Sequence, residues 1–254
     1  MILGIVQARM GSTRLPGKVL LEIAGRPLLW HVLHRLKAAT LLDRILLATS
    51  NHPADASLLA LARESGIDAV AGDPEDVLDR FYRAALPHRP DVVVRVTGDC
   101  PLLDPVVIDQ LVQVFLGQRP TVDYAVTAPS YPDGMDCEAF TFETLARAWR
   151  EARLQSEREH VTPYIWKNPS LFHIHRMEYG RDCSSVRLTV DEPEDLTVVR
   201  AVYGSLYREG EVFHLEEILD WLNRNETVQA LNRSITRNEG YQKSLANDRV
   251  FPAR

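Results

Sequence analysis

Apolar and polar positions fall into short blocks along the first half of the chain. Residues 2–6 ("ILGIV") are an almost unbroken apolar run, the pattern of a short strand buried on both faces. Pro27 sits at a first helical turn, and Leu28, Leu29, Val32, Leu33 and Leu36 then recur on one helical face. Residues 44–49 ("RILLAT") read as a second strand and residues 54–65 as a second helix, with Gly66 as its stop signal. "IDAVAGD" predicts a third, short strand, and residues 77–86 a helix bounded by Pro87. Residues 91–97 ("DVVVRVT") carry the strongest strand pattern, followed by a helix over 106–116 and a strand over 123–127.

Strand and helix thus alternate with short connections, the signature of a doubly wound α/β fold with a mostly parallel sheet. Ligands of such sheets bind beyond the carboxyl ends of the strands. Residues 8–18 and 98–104 both follow strands, so both are expected on that edge. Beyond Pro129 the pattern loosens. "YPDGMDCEAFTF" predicts a turn and an edge-like strand, 143–154 and 157–167 helices, and 172–177 and 185–190 strands. Helices follow over 193–206 and 215–223, and residues 226–254 are polar and weakly periodic, an expected extended tail or subunit contact.

Composition narrows the function classes. The chain has 254 residues, 45% of them hydrophobic, enough for a large core without disulfide or metal staples. Its net charge of −6 argues against a general nucleic-acid surface. Cys100, Cys137 and Cys183 are scattered and never form CxxC, which suits reduced thiols in the cytoplasm. Neither a signal peptide nor an apolar stretch long enough for a membrane span is evident, so no membrane partner is expected.

Against this acidic background "ARMGSTRLPGK" (residues 8–18) holds Arg9, Arg14 and Lys18 with no acid. It is not a Walker A sequence. Gly11 and Gly17 nevertheless allow backbone N–H groups to approach phosphate oxygens, and Ser12 and Thr13 add hydroxyl donors. A solvated basic loop explains the charge equally well; placement at a strand end turns the balance toward phosphate.

Asp99, after the valine-rich strand, could hold Mg2+ against substrate phosphates, or simply cap the turn of "GDCP"; Asp104 follows five residues on. Asp191 in "LTVDEPEDL" is explained fully by capping of the helix that Pro193 begins. His173 and His175 share a strand face without an evident third ligand, and Cys100 suits a small buried thiol. "EREHVTPYIW" sets Arg158, Glu159 and His160 ahead of an apolar helix face, a charged helix entrance or part of a site.

"VQARMGSTRLPGKVL" closely resembles the opening signature of the cytidylyltransferases that activate 3-deoxy-2-keto sugar acids, the CMP-KDO and CMP-sialate synthetases. "GDCPLLDP", "YPDGMDCEAF", "EREHVTPYIW" and "LTVDEPEDL" resemble most the spore-coat polysaccharide biosynthesis F-like branch, and the likeness spans about residues 1–210. It implies a nucleotide-diphospho-sugar transferase type of fold over 1–225. Residues 130–180 would form a smaller β-containing extension for acceptor binding and homodimerisation.

The implied reaction is transfer of CMP from CTP to the anomeric hydroxyl of a sugar acid, with pyrophosphate released. Ala8, Arg9, Gly11, Ser12, Arg14 and Lys18 would form the triphosphate loop, and Arg80 in "DVLDRF" would lie near the base or ribose. Asp99 and Asp191 would hold Mg2+, with Arg9, Lys18 and Asp99 carrying the chemistry. Asp136, Glu138, Arg158 and His160 are the expected acceptor contacts. Two alternatives stand beside this: the same fold with another nucleotide, and a non-catalytic nucleotide-sugar-binding or glycosyltransferase-like protein in glycan assembly.

Overall fold

The structure is a computed structural model that describes residues 1–251. Its centre is a sheet of order β5-β4-β1-β6-β8-β7-β9. The strands are β1 (Ile2–Gln7), β4 (Arg44–Ser50), β5 (Asp68–Gly72), β6 (Val92–Thr97), β7 (Tyr124–Thr127), β8 (Cys137–Phe140) and β9 (Ile174–Met177). A separate two-stranded ribbon joins β2 (Glu22–Ile23) to β3 (Arg26–Pro27). Within the large sheet β8 runs antiparallel to both β6 and β7, and the other pairings of that sheet are parallel.

Successive side chains of each strand point to opposite faces, so the apolar runs feed two cores. On one face Val6, Leu47, Val94, Val96 and Ala139 meet α1 (Leu28–Lys37), α2 (Ala56–Glu64), α4 (Pro105–Gly117), α8 (Pro193–Leu206) and α9 (Leu215–Arg224). On the other, Ile5, Ala48, Val93, Tyr124 and Phe140 meet α3 (Val77–Ala85), α5 (Phe142–Glu151) and α7 (Pro163–Trp166), with α6 (Gln155–His160) packed on α3. Among the described residues no helix is long and apolar enough to cross a membrane.

The second half departs from the sequence pattern in four places. "CEAF" is not an edge strand: all four residues are buried between β6 and β7. The apolar run 185–190 forms only a single bridge, Arg187 to Asp133, because its hydrogen bonds go to loops. Val186 O accepts from Asp133 N, Leu188 N donates to Asp133 O, and Val190 N donates to Asp99 O. The expected helix 157–167 breaks at Val161, whose φ of 73° separates α6 from α7.

The expected extended tail is instead folded. α10 (Glu226–Gln229) and α11 (Glu239–Ala246) bring the chain back across the carboxyl edge of the sheet.

Candidate active site

Loops from the carboxyl edge of the sheet enclose a cavity of about 960 Å3, at the large end for a small-molecule site. Residues 8–18 form one wall. Their base is tied down by Asp55, buried beside β4, which accepts from Met10 N (2.7 Å) and from the Ser50 hydroxyl. Gly98 lets the next loop pass against this one: a Cβ there would stand 2.8 Å from Gln7 O. The N–H groups of Gly11, Thr13 and Arg14 donate to no described residue. A glycine-punctuated loop with open donors and three cations suits a polyanion.

Each cation of the loop meets acid. Arg9 Nη2 is 3.3 Å from Glu159 Oε1, and Arg14 reaches Asp191 (2.8 Å), Glu192 (3.4 Å) and Glu239 (3.2 Å). Lys18, buried at the start of a 3-10 turn, places Nζ 2.8 Å from both Asp99 Oδ2 and Asp191 Oδ1. Burial alone would lower the Lys18 ammonium, but the two carboxylates outweigh it and leave it raised. Burial pushes Asp99 upward in turn, and the Lys18 charge and hydrogen bond overcome that, holding it at about 2.

Local structure does not consume Asp191, contrary to the capping explanation. α8 is capped at Glu192, and the Asp195 carboxylate accepts from both Asp191 N (2.9 Å) and Glu192 N (3.0 Å). The Asp191 side chain is left for the cavity. Arg187 fixes it from behind, with Nη2 2.9 Å from Asp191 Oδ2, while its other nitrogens hold Asp133 and Asp195. Asp104 serves the fold instead: it caps α4 through Val106 N and accepts from Leu215 N at 2.6 Å.

Arg80 lines the same cavity from α3. It is almost fully buried, yet its Nε and Nη1 have no hydrogen-bond partner. Burial, with Arg9 nearby, lowers its guanidinium to about 10. An enclosed cation with idle donors at a cavity wall marks a place for an anion or a base edge.

Of the expected acceptor residues, Asp136, Glu138 and His160 line the cavity. Asp136 reaches it because β8 is reversed: the residue preceding this strand, rather than the one following it, lies at the carboxyl edge. Asp136 pairs with Arg237 at 2.6 Å. Glu138 accepts from Tyr124 (2.6 Å) and Thr162 (2.7 Å) and pairs with Arg95. Burial lowers His160 to about 4, against the pull of Glu159, so its ring is neutral near pH 7.

Arg158 is a correction. Its guanidinium is buried, bound by Nε and Nη2 to Asp76 (2.9 and 2.6 Å) and by Nη1 to Trp149 O. It joins α6 to the N-cap of α3 and does not line the cavity. Cys100 is buried and its thiol is pushed well up by that burial and by Asp99. His173 lies exposed at the far sheet edge beside Asp123.

The sequence pattern of the cytidylyltransferase family matches residues 3–223. The chain belongs to the cytidylyltransferase family. It is 36% identical over 246 residues to an uncharacterized protein of Methanocaldococcus jannaschii, covering 95% of this chain and 98% of that one. It is 34% identical over 231 residues to the spore coat polysaccharide biosynthesis protein SpsF of Bacillus subtilis, covering 88% and 95%. A 3-deoxy-manno-octulosonate cytidylyltransferase of Trichlorobacter lovleyi is 37% identical over 118 residues, 46% of this chain and 45% of that enzyme. A cytidylyltransferase structure from Leptospira borgpetersenii superposes with a TM-score of 0.86 at 29% identity, over 94% and 97% of the two chains.

Several residues of this cytidylyltransferase site escape a reading of the sequence. Glu159 stands in the "EREH" cluster, but nothing in the sequence pairs it with Arg9. Arg95, Asp133 and Arg187 are placed by sheet register and loop crossings. Arg237, Glu239 and Tyr241, all at the cavity, come from a segment with no local signal.

Proposed function

We propose that this cytidylyltransferase transfers CMP from CTP to a hydroxyl of a sugar acid, with release of pyrophosphate, in the assembly of a surface polysaccharide. One observation carries the nucleotidyl-transfer part. Lys18 joins Asp99 and Asp191 at the mouth of a loop whose Gly11, Thr13 and Arg14 N–H groups are open. Arg9, Arg14 and Lys18 exchange their carboxylate partners for phosphate oxygens, and Arg80 supplies donors from beneath. The acceptor oxygen bonds to the α-phosphorus, the bond from that phosphorus to the β-phosphate oxygen breaks, and the hydroxyl proton is released. Such a transfer rests on positioning and charge neutralisation.

Asp99 and Asp191 also fit a magnesium ion. Both carboxylates reach one ammonium nitrogen, so their hard oxygens face a single small volume. Among the described residues no group of three or more His, Cys, Asp or Glu forms a metal cage. Magnesium does not need one; one or two carboxylates with substrate phosphates suffice. When bound there the ion would neutralise charge on the phosphates. The sugar-acid acceptor is supported by the named activity of the 3-deoxy-manno-octulosonate relatives, and the polysaccharide setting by SpsF. A homodimer paired through residues 130–180 remains part of the proposal.

The test is thermal unfolding with CTP, UTP, ATP, GTP or dTTP, each with and without Mg2+. A nucleotide at about 100 times its Kd adds roughly 2.7 kcal/mol of stability. A shift with CTP above the others is expected. A shift with a different nucleotide would replace the base assignment, and none with any would refute the nucleotidyl-transfer reading.

A further inference from the structure

We infer that the acceptor half of the cavity is completed by the chain's own C-terminal helix α11, and that Arg176 and Tyr241 select an acceptor bearing an anionic group on a hydroxylated body. This rests on the nucleotidyl-transfer reading above and goes further by assigning residues to the second substrate.

The floor follows from register. Arg95 pairs with Glu138, Glu138 with Val126, and Val126 with Arg176, so these four residues stand in one row across β6, β8, β7 and β9. Partners in a row share a face, and all four line the cavity. Arg95 and Glu138 satisfy each other, with Gln7, Tyr124 and Thr162 taking their remaining bonds. The Arg176 guanidinium has no hydrogen bond or ion pair with any described residue. The row therefore ends on the edge strand β9 in an exposed arginine whose guanidinium is open toward the cavity, a ready partner for a carboxylate.

The roof is built by α11 against α6 and α7. The Tyr241 ring lies 5.1 Å from His160 and 5.5 Å from Trp166, edge to face in both cases. Its hydroxyl is enclosed and has no partner, a donor and acceptor left for a ligand hydroxyl.

α11 is not loosely laid over the site. Glu239 holds Arg14, the Ser244 hydroxyl donates to Glu159 at 2.9 Å, and Asp248 accepts from Ser156 N (3.0 Å) and Oγ (2.7 Å). Arg237 just before it binds Asp136. All of this lies beyond residue 223, where the family match ends.

The experiment measures pyrophosphate release from CTP with 3-deoxy-manno-octulosonate and N-acetylneuraminate, and with the neutral sugars mannose and N-acetylmannosamine. The full-length chain is compared with Arg176→Gln, Arg176→Lys and Tyr241→Phe. The acids alone should be used. Arg176→Gln should raise the acceptor KM about 10- to 100-fold and Tyr241→Phe about 2- to 10-fold, with the KM for CTP unchanged and Arg176→Lys partly restored. An unchanged acceptor KM in Arg176→Gln, an equal rise in the KM for CTP, or equal use of neutral sugars would overturn the assignment. So would a CTP melting shift with no acid turned over, which leaves the nucleotide reading standing. Absence of the CTP shift itself would remove both.

Discussion

Asp99→Asn tests the centre of the site through two independent readouts. The folded carboxyl lies at about 2 against an ordinary 3.8, a displacement of roughly 2 kcal/mol. Because the folded value is depressed, that stabilisation is present above pH 4 and is lost as pH falls toward 2. The amide keeps the shape but removes the charge that Lys18 answers, so at pH 7 the variant should lose up to about 2 kcal/mol, roughly 4–8 °C in Tm for a chain of this size. Asp191 then has Lys18 to itself, which offsets part of the loss. Turnover should suffer more: removing one positioned charge at a reacting phosphate costs on the order of 100-fold in kcat. CTP binding without Mg2+ should persist or tighten, since a negative charge near the triphosphate is gone. A coupled pyrophosphate assay and CTP melting shifts with and without Mg2+ read all three. Wild-type turnover with unaltered Mg2+ dependence would refute the role of Asp99, and loss of Mg2+-free CTP binding would reduce it to a structural one.

Arg187→Met should be the most destabilising change near the site. It strands Asp195, which has no exposed side-chain surface, beside Asp133, at a cost of about 3–5 kcal/mol in urea unfolding. Gly134→Ala should cost at least about 2 kcal/mol, because φ is 102° and a Cβ would stand 2.5 Å from Thr189 N; normal stability would contradict the close approach of these loops. His31 is buried with Nε2 donating to Ile23 O at 2.7 Å, and burial lowers it to about 4. The unfolded chain takes up the proton first, so His31 alone should contribute about 2 kcal/mol to the fall in stability from pH 7.5 to pH 5, beside a contribution from His160. His31→Gln should remove the His31 part of that slope, measured by urea midpoints at the two pH values.

The first half of the chain was legible because its signals are local. Val92 to Thr97 could only be a buried strand, and a loop that follows such a strand in a parallel sheet must open at the carboxyl edge. Asp99, Arg9, Arg14 and Lys18 were therefore within reach of pattern and motif. The run 185–190 misled because a strand and a loop-bound extended segment show the same apolar periodicity; which one forms depends on where Asp133 and Asp99 offer partners. "CEAF" misled in a different way. Nothing in the four residues Cys137 to Phe140 states whether one neighbour or two will pair with them.

Arg158 and Asp191 show the limit most clearly. Both are charged residues beside a helix start, and their environments assign them opposite roles. Arg158 turns to Asp76 and disappears into the packing between helices. Asp191 is spared capping only because Asp195 accepts from both backbone donors at that helix start. α11 is the extreme case: its polar sequence has a weak periodicity, since it is held by contacts to Arg14, Glu159 and Ser156 rather than by a broad apolar face. The sequence by itself determined the alternating α/β order, the basic phosphate loop and the carboxylate after β6, because short-range periodicity and composition encode them. Only the tertiary structure decided which carboxylates share Lys18, which arginine stays open, and that the C-terminal segment closes the site, because pairings between distant segments depend on sheet register and on which polar groups burial leaves without partners.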